Sequence, residues 1–219
     1  MRLARRPPSV IHYRGADARL TLRPPHPRDA RALTDAVRES LPALRAFMPW
    51  AHGAVDIEAQ YDRLVVVQAE YWRSSEFTYH LIDPADGRLL GCASLHGRQL
   101  NPRNLEIGYW VRSGAVGRGL ATLAARCLVV VAFEHFGCDR VQIGANVANV
   151  ASCRVIEKVG FVSEGLQRNY QDQGTPVLRA AGYAAARDAV AAALLPEDRP
   201  ALPWYAAVRD ALTIEAWDA

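Results

Sequence analysis

Three glycines and an arginine fall within eight residues, Gly114-Ala115-Val116-Gly117-Arg118-Gly119-Leu120-Ala121, just ahead of an apolar helical run. The first N–H groups of a helix lack carbonyl partners and point outward with the positive end of the dipole, so such a turn is suited to an anion, phosphate above all. Side chains would block the approach of phosphate oxygens to the backbone, which accounts for glycine at several positions. The stretch is not a Walker loop, because no Gly-Lys-Ser/Thr ending supplies the lysine and the magnesium-binding hydroxyl. Nor does it open a dinucleotide-binding unit: the strand before it belongs to an antiparallel meander, and no acid closes a βαβ unit. Further on, Val141 to Phe161 passes from a strand through a polar turn at Asn149 and Ser152 into a helix ending Glu157-Lys158-Val159-Gly160-Phe161.

The elements that must hold these residues can be read from periodicity. Leu105 to Phe161 reads strand, glycine turn, helix, strand, polar turn, helix. Upstream, Leu20–Arg23 alternates as a first strand, and prolines at 24, 25 and 27 end it. Asp29 stands where a helix start belongs, ahead of Leu33, Val37 and Leu41 at helical spacing. A second helix is expected over 55–72, with Ile57, Tyr61, Leu64, Val65, Gln68 and Tyr71 or Trp72 on one face. Between them, Phe47, Met48 and Trp50 either cap the core or line a substrate entrance. Phe77 to His96 reads as a hairpin turning at Asp86-Gly87, with a third strand of the meander at Leu105 to Val111. Closing strands are expected at 161–166 and 177–184. Three segments result: a leader at 1–18, a single domain at 19–190, and a linker with a helical tail at 191–219. The tail is expected to pack on the domain or on another copy of the chain, which admits a homodimer.

Taken together, Glu106-Ile-Gly-Tyr-Trp-Val111, Val116-Gly-Arg-Gly-Leu-Ala121 and Asn149-x-x-Ser152-x-x-x-x-Glu157-Lys158-x-Gly160-Phe161 resemble the signatures of the Gcn5-related N-acetyltransferase (GNAT) superfamily. The first of them is similar to the branch that contains the ribosomal-protein Ala and Ser N-terminal acetyltransferases (RimJ/RimL-like). The resemblance covers 20–187 in order of elements, and its detailed motifs cover 106–161. It implies an α/β (α+β) fold: a central mixed, mostly antiparallel sheet, splayed between its fourth and fifth strands around acyl-coenzyme A and flanked by helices. It also implies that Tyr109, Trp110 and Val111 on the fourth strand pair with pantetheine, and that Arg112 with Val116, Gly117, Arg118, Gly119, Leu120, Ala121 and Thr122 holds the pyrophosphate. Asn149 would meet the pantetheine arm and Lys158 the nucleotide end. In one departure, Gly114 occupies a position where relatives often carry Gln or Arg.

Acetyl transfer needs an uncharged amine, a proton acceptor and a donor for the departing thiolate. Glu106 is the first choice as base, with a strand-end ion pair to Arg103 or Arg112 as its alternative reading; Glu164 is a weaker candidate. Some relatives carry a tyrosine as acid where Ile156 stands here, so Ser152 is the candidate acid, unless its hydroxyl only caps the helix. Tyr170 and Tyr183 are substitutes. His52, His80 and His96 read as ordinary loop or strand residues, and no metal is expected.

Composition bounds the rest. The 219 residues suit one sizeable core, half of them are hydrophobic, and the net charge of +3 is small. No basic run is interleaved with aromatics, so no nucleic-acid partner is expected. No apolar run reaches membrane-spanning or signal-peptide length, and the four cysteines form no CxxC pair, which points to a cytoplasmic protein without membrane contact, zinc or disulfides. The sequence thus predicts an acyl-CoA-dependent N-acyltransferase, acting by direct attack of a primary amine on acetyl-CoA or another acyl-CoA such as succinyl-CoA. The amine is a protein N-terminus or a small molecule. The alternative is a catalytically silent acyl-CoA sensor or interaction protein.

Overall fold

Alternation along the strands and helical periodicity elsewhere sort the apolar side chains onto the two faces of one sheet. The computed structural model describes residues 6–74, 76–98, 101–170, 180 and 188–215. Its strands are β1 (Val10–Arg14), β2 (Arg19–Arg23), β3 (Glu76–Ile82), β4 (Leu89–Arg98), β5 (Asn101–Val111), β6 (Arg140–Asn146), β7 (Val162–Gln167), β8 (Ala189–Leu194) and β9 (Leu212–Glu215). They form one sheet in the order β7-β8-β6-β5-β4-β3-β2-β1-β9. Helices α1 (Ala30–Phe47) and α2 (Ile57–Trp72) lie against one face, with Leu33, Val37, Leu64 and Leu89 in the core between. Helices α3 (Leu120–Val130), α4 (Val150–Val159) and α5 (Tyr205–Ala211) cover the other, packed on Leu95, Leu105, Ile107 and Val141. Helix α3 is apolar on nearly every side and correspondingly buried, and its end widens into a π-turn, with Phe136 N–H bonded to Val131 O at 3.1 Å.

The strand pairs are antiparallel except β5 and β6, which run parallel and meet only at Asn104↔Arg140, Leu105↔Val141 and Glu106↔Gln142. Beyond Glu106, β5 keeps β4 on one side but shares no ladder with β6 on the other, while β6 continues along β8 to Asn146. The expected splay is present, between the fifth and sixth strands of this chain because one strand precedes those foreseen.

That extra strand corrects the leader reading. Val10–Arg14 pairs with β2 and with β9, so segments from both ends of the chain close one edge of the sheet. The tail is correspondingly a short helix followed by a strand, not a helix to its end. Helix α1 runs through Pro42 to Phe47, and Met48 and Trp50 sit at its end and on the following 3-10 turn. On α2, Leu64 and Tyr71 of the expected face are buried together with Gln60, whereas Ile57, Tyr61, Val65 and Trp72 are exposed, so the buried stripe is narrower than the expected face and is turned toward Gln60. The strand that follows β7 is β8, Ala189–Leu194; the one expected over 177–184 lies, Ala180 apart, outside the described residues, as does Tyr183.

Candidate active site

Gly117 and Gly119 take φ of 80° and 74°, a left-handed conformation that a side chain disfavours, and Gly119 is the N-cap of α3. The next N–H groups, of Leu120, Ala121 and Thr122, precede the first helical bond within α3 and have no acceptor in the helix. The first bond back to the cap runs from Leu123 N–H to Gly119 O at 2.9 Å. The turn therefore has the backbone conformation that the sequence reading expects of an anion cradle. Arg118 lies beside it, its side chain 55% exposed and 3.7 Å from Asp83.

Arg112 is not part of that cradle. Its Nε donates to Glu39 Oε2 at 2.9 Å and its Nη1 to Leu89 O at 3.1 Å, with the guanidinium largely buried. Glu39 also accepts from Gly114 N–H at 2.6 Å, and Ser40 Oγ accepts from Ser113 N–H at 2.9 Å, so α1 grips the whole turn. Hydrogen bonds from Arg112 and then Gly114 hold the Glu39 carboxyl below its usual range. The Gly114 departure has its reason here, since a Cβ at that position would lie 2.6 Å from Glu39 Oε1. Arg88, 3.7 Å from the same carboxylate and half exposed, is a cation near the turn that the sequence reading missed.

The polar turn before α4 resolves the two readings of Ser152. Asn149 is the N-cap, accepting from Ser152 N–H at 3.1 Å, which leaves the serine hydroxyl to another partner. That partner is the Tyr109 phenol on β5, 2.8 Å away. Desolvation raises the Tyr109 pKa, more than the Ser152 hydrogen bond lowers it. Ile156 is buried, and the phenol that meets Ser152 is that of Tyr109 on the facing strand. The sequence reading had used Tyr109 only for its backbone; strand alternation alone could have shown that it faces α4.

Glu106 points to the opposite face. Its Oε2 accepts from Gln142 Nε2 at 3.2 Å, and it lines a cavity of about 110 Å³ with Glu164, Arg140 and Tyr170. Glu164 is held below its usual range by hydrogen bonding to Arg140, 2.6 Å from Nη1 to Oε1, which makes it a poor proton acceptor. Lys158 is exposed on the last turn of α4 and lines a groove with Arg126, Asp198 and Trp204. The described contacts do not bring it to the glycine turn.

A second cavity, of about 410 Å³, lies between the α1/α2 pair and the sheet. Met48, Trp50, Arg63, His80, Ser94 and His96 line it, and it reaches β5 at Gly108, Tyr109 and Trp110, on the unpaired half of the strand. Trp50 packs on Trp110 with ring centroids 6.2 Å apart and carries the Arg63 guanidinium 4.6 Å over its ring. Met48 and Trp50 pack against the core, as the first of their two sequence readings has it, and they also line this cavity. The splayed strands thus have a hydroxyl pair on the α4 face, an anion cradle at one end and a roomy cavity on the other face. That arrangement suits a long phosphorylated ligand, because it joins an end rich in free backbone N–H groups to an unpaired strand edge.

The profile of the acetyltransferase (GNAT) domain matches residues 19–162. Among curated proteins, the chain is 31% identical over 153 residues to the Bacillus subtilis (strain 168) protein named "Putative ribosomal N-acetyltransferase YdaF", over 68% of this chain and 81% of that one. It is 32% identical over 115 residues to "Probable N-acetyltransferase YjcK" of the same organism, over 51% and 62% of the two chains. Among solved structures, a "Probable acetyltransferase" shares 29% identity at a TM-score of 0.69, over 82% of this chain and 94% of that one. Mycobacterium smegmatis RimJ in complex with CoA-disulfide superimposes with a TM-score of 0.76 at 24% identity, over 92% and 93%, a likeness of fold. With the cradle and the splay in place, the match across most of the domain is decisive: this chain belongs to the GNAT acetyltransferase family and is an acetyl-CoA-dependent N-acetyltransferase.

Proposed function

We propose that the acceptor is a primary amine, with a protein N-terminus as the favoured class, and that it enters through the cavity under α1 and α2 to meet acetyl-CoA at the unpaired edge of β5. One observation carries this: the cavity reaches β5 at Gly108–Trp110, where the strand has lost its β6 partner, from the face opposite Ser152. The amine adds to a face of the planar thioester while the sulfur lies in its plane, so acceptor and leaving thiolate can be served by different groups, and the site offers a face for each. The ribosomal naming of YdaF supports the N-terminal choice.

In this reading pantetheine lies along Tyr109–Val111, with Asn149 beside it, and the pyrophosphate sits on the N–H groups from Val116 to Thr122 with Arg118. Lys158 is carried as a nucleotide-end contact. Glu106 acts as general base on the amine side. The Tyr109–Ser152 pair supplies the proton to the thiolate, and backbone N–H groups on the free edge of β5 stabilise the oxyanion. A homodimer is carried as the assembly, checked by light scattering.

The test is thiol release from acetyl-CoA with a panel of peptides bearing free Ala or Ser N-termini and of small amines. Amine-dependent release, fastest with the peptides, is expected. Tight CoA binding with no release from any amine would favour an acyl-CoA sensor instead, and absence of CoA binding would show the cradle to be misassigned.

A further inference from the structure

Acetylation of an amine at neutral pH moves two protons on the nitrogen side. One must leave the ammonium ion before attack; the other leaves the tetrahedral intermediate as the thiolate departs. Glu106 is one acceptor. A second lies across β4 from it, in a row of side chains that the sequence reading had set aside.

His96 on β4 is the cross-strand partner of Glu106 on β5. Its Nδ1 faces Glu76 Oε1 on β3 at 3.3 Å, and its Nε2 lies 2.7 Å from Ser94 Oγ. Thr78 Oγ1 donates to the same Glu76 oxygen at 2.8 Å and fixes the carboxylate. A carboxylate opposite Nδ1 selects the tautomer with its proton there, so that Nε2 carries the lone pair and accepts from the serine. The His96 hydrogen bond, more than the opposing desolvation, holds Glu76 below its usual range, in keeping with a carboxylate that stays ionised beside the ring.

The position of Nε2 gives the row its meaning. A Cβ on Gly108 would fall 3.0 Å from His96 Nε2 and 3.2 Å from Ser94 Oγ, so the imidazole and hydroxyl rest directly on a strand residue that has no side chain to exclude them. Gly108 is the second residue after β5 loses β6 and adjoins the Tyr109–Val111 edge assigned above to pantetheine. His96, Ser94 and Glu76 all line the 410 Å³ cavity, and the imidazole side chain is 42% exposed.

We propose that His96, held by Glu76, is the base that removes the first proton from the ammonium group of the acceptor, at Nε2, as the amine arrives over Gly108. The N–H bond of the ammonium breaks and its electron pair stays on nitrogen. The proton forms the second N–H of the imidazolium, with Ser94 Oγ yielding its place to the amine. After attack, the nitrogen's second proton goes to Glu106 while the Tyr109–Ser152 pair gives one to the departing thiolate and regains it from solvent; Glu106 and the imidazolium return theirs to solvent. Among the described residues, the charged and titratable groups around the imidazole are Glu76 and His80 on β3, Glu106 on β5 and Arg63 on α2. The two carboxylates favour the imidazolium and Arg63 opposes it.

This step rests on the acetyl-transfer reading and is tested within it. Wild type, His96→Gln and Glu76→Gln are compared by the pH dependence of kcat/KM for a free-N-terminus peptide, with acetyl-CoA affinity measured by calorimetry. Wild type is expected to gain rate with pH through the imidazole range. His96→Gln lowers kcat/KM about 100-fold at pH 7 and loses that limb, with acetyl-CoA affinity unchanged within twofold. Glu76→Gln keeps the limb but moves it to lower pH, because the imidazolium has lost its carboxylate; a merely structural glutamate would not shift it. An active wild type whose His96→Gln variant keeps both the limb and a rate within threefold overturns the base and leaves acetyl transfer standing. A wild type that binds acetyl-CoA yet acetylates no amine removes both.

Discussion

At the scale of single residues, the hydroxyl pair on the α4 face makes the sharpest commitment. Ser152 is not the helix cap, since Asn149 fills that role, and its Oγ is aimed at the Tyr109 phenol 2.8 Å away. If the two hydroxyls pass one proton in series to the thiolate, removing either breaks the same path. Tyr109→Phe and Ser152→Ala should each lower kcat at least tenfold with acetyl-CoA affinity kept, and the double variant should be no slower than the worse single one. Steady-state kinetics on the three variants checks this; multiplying losses would show that the groups act separately. Motif spacing made Ser152 legible, but a motif does not say what a side chain faces. Tyr109 and His96 escaped because their chemistry depends on which strand, and which face of it, lies opposite.

At the scale of elements, the glycine turn was legible because every part of it is local: a strand end, residues at positive φ and the first turn of α3 lie consecutively. The grip of α1 was not legible, because Glu39 lies 73 positions from Arg112 in sequence. The same distinction separates Gly119 from Gly114. A Cβ on Gly119 meets nothing within 4 Å, so a side chain there leaves the fold's packing alone and projects from the helix start. Gly119→Asp therefore places a carboxylate beside the pyrophosphate and strains a left-handed φ, and we expect CoA affinity to fall at least 30-fold, as read by calorimetry. Unchanged affinity would show that the cradle holds no phosphate. Gly114→Ala should act through packing, lowering the unfolding free energy by about 1–3 kcal/mol as Glu39 is displaced.

At the scale of the whole molecule, two sheet segments meet at a short parallel junction, and the site is the gap that opens beyond it. The core strands and the order of elements were visible in periodicity. The closing edge was not, since the pairing of Val10 with Glu215 joins residues from opposite ends of the chain and has no local signature. What ties the larger segment to α1 is a buried polar cluster: Arg23 Nη1 and Nη2 donate to Asp29 at 2.7 and 2.8 Å, and His80 Nδ1 lies 3.1 Å from the same carboxylate. Desolvation pushes the Asp29 carboxyl up, but the Arg23 and His80 hydrogen bonds together outweigh it and hold the group well below the usual range. Desolvation of His80 lowers its pKa against the pull of Asp29, so the ring is neutral at pH 7 and Arg23 carries the charge attraction. A carboxyl depressed in the folded state contributes stability that is complete above its unfolded pKa of about 4 and is lost as pH falls through the folded value. Asp29→Asn should therefore cost about 3 kcal/mol at pH 7, where it strands a largely buried arginine, and the gap from wild type should narrow as pH falls below about 4. His80 adds a slope of its own: a ring with a lowered folded pKa loses stability as pH drops below about 6.5, in wild type and variant alike. Urea unfolding at pH 7, 5 and 3 separates the two, because the histidine slope sets in below about 6.5 in both proteins, whereas the aspartate slope sets in below about 4 in wild type alone. A wild-type-to-variant gap that stays constant down to pH 3 would show that the fold does not depress the Asp29 pKa.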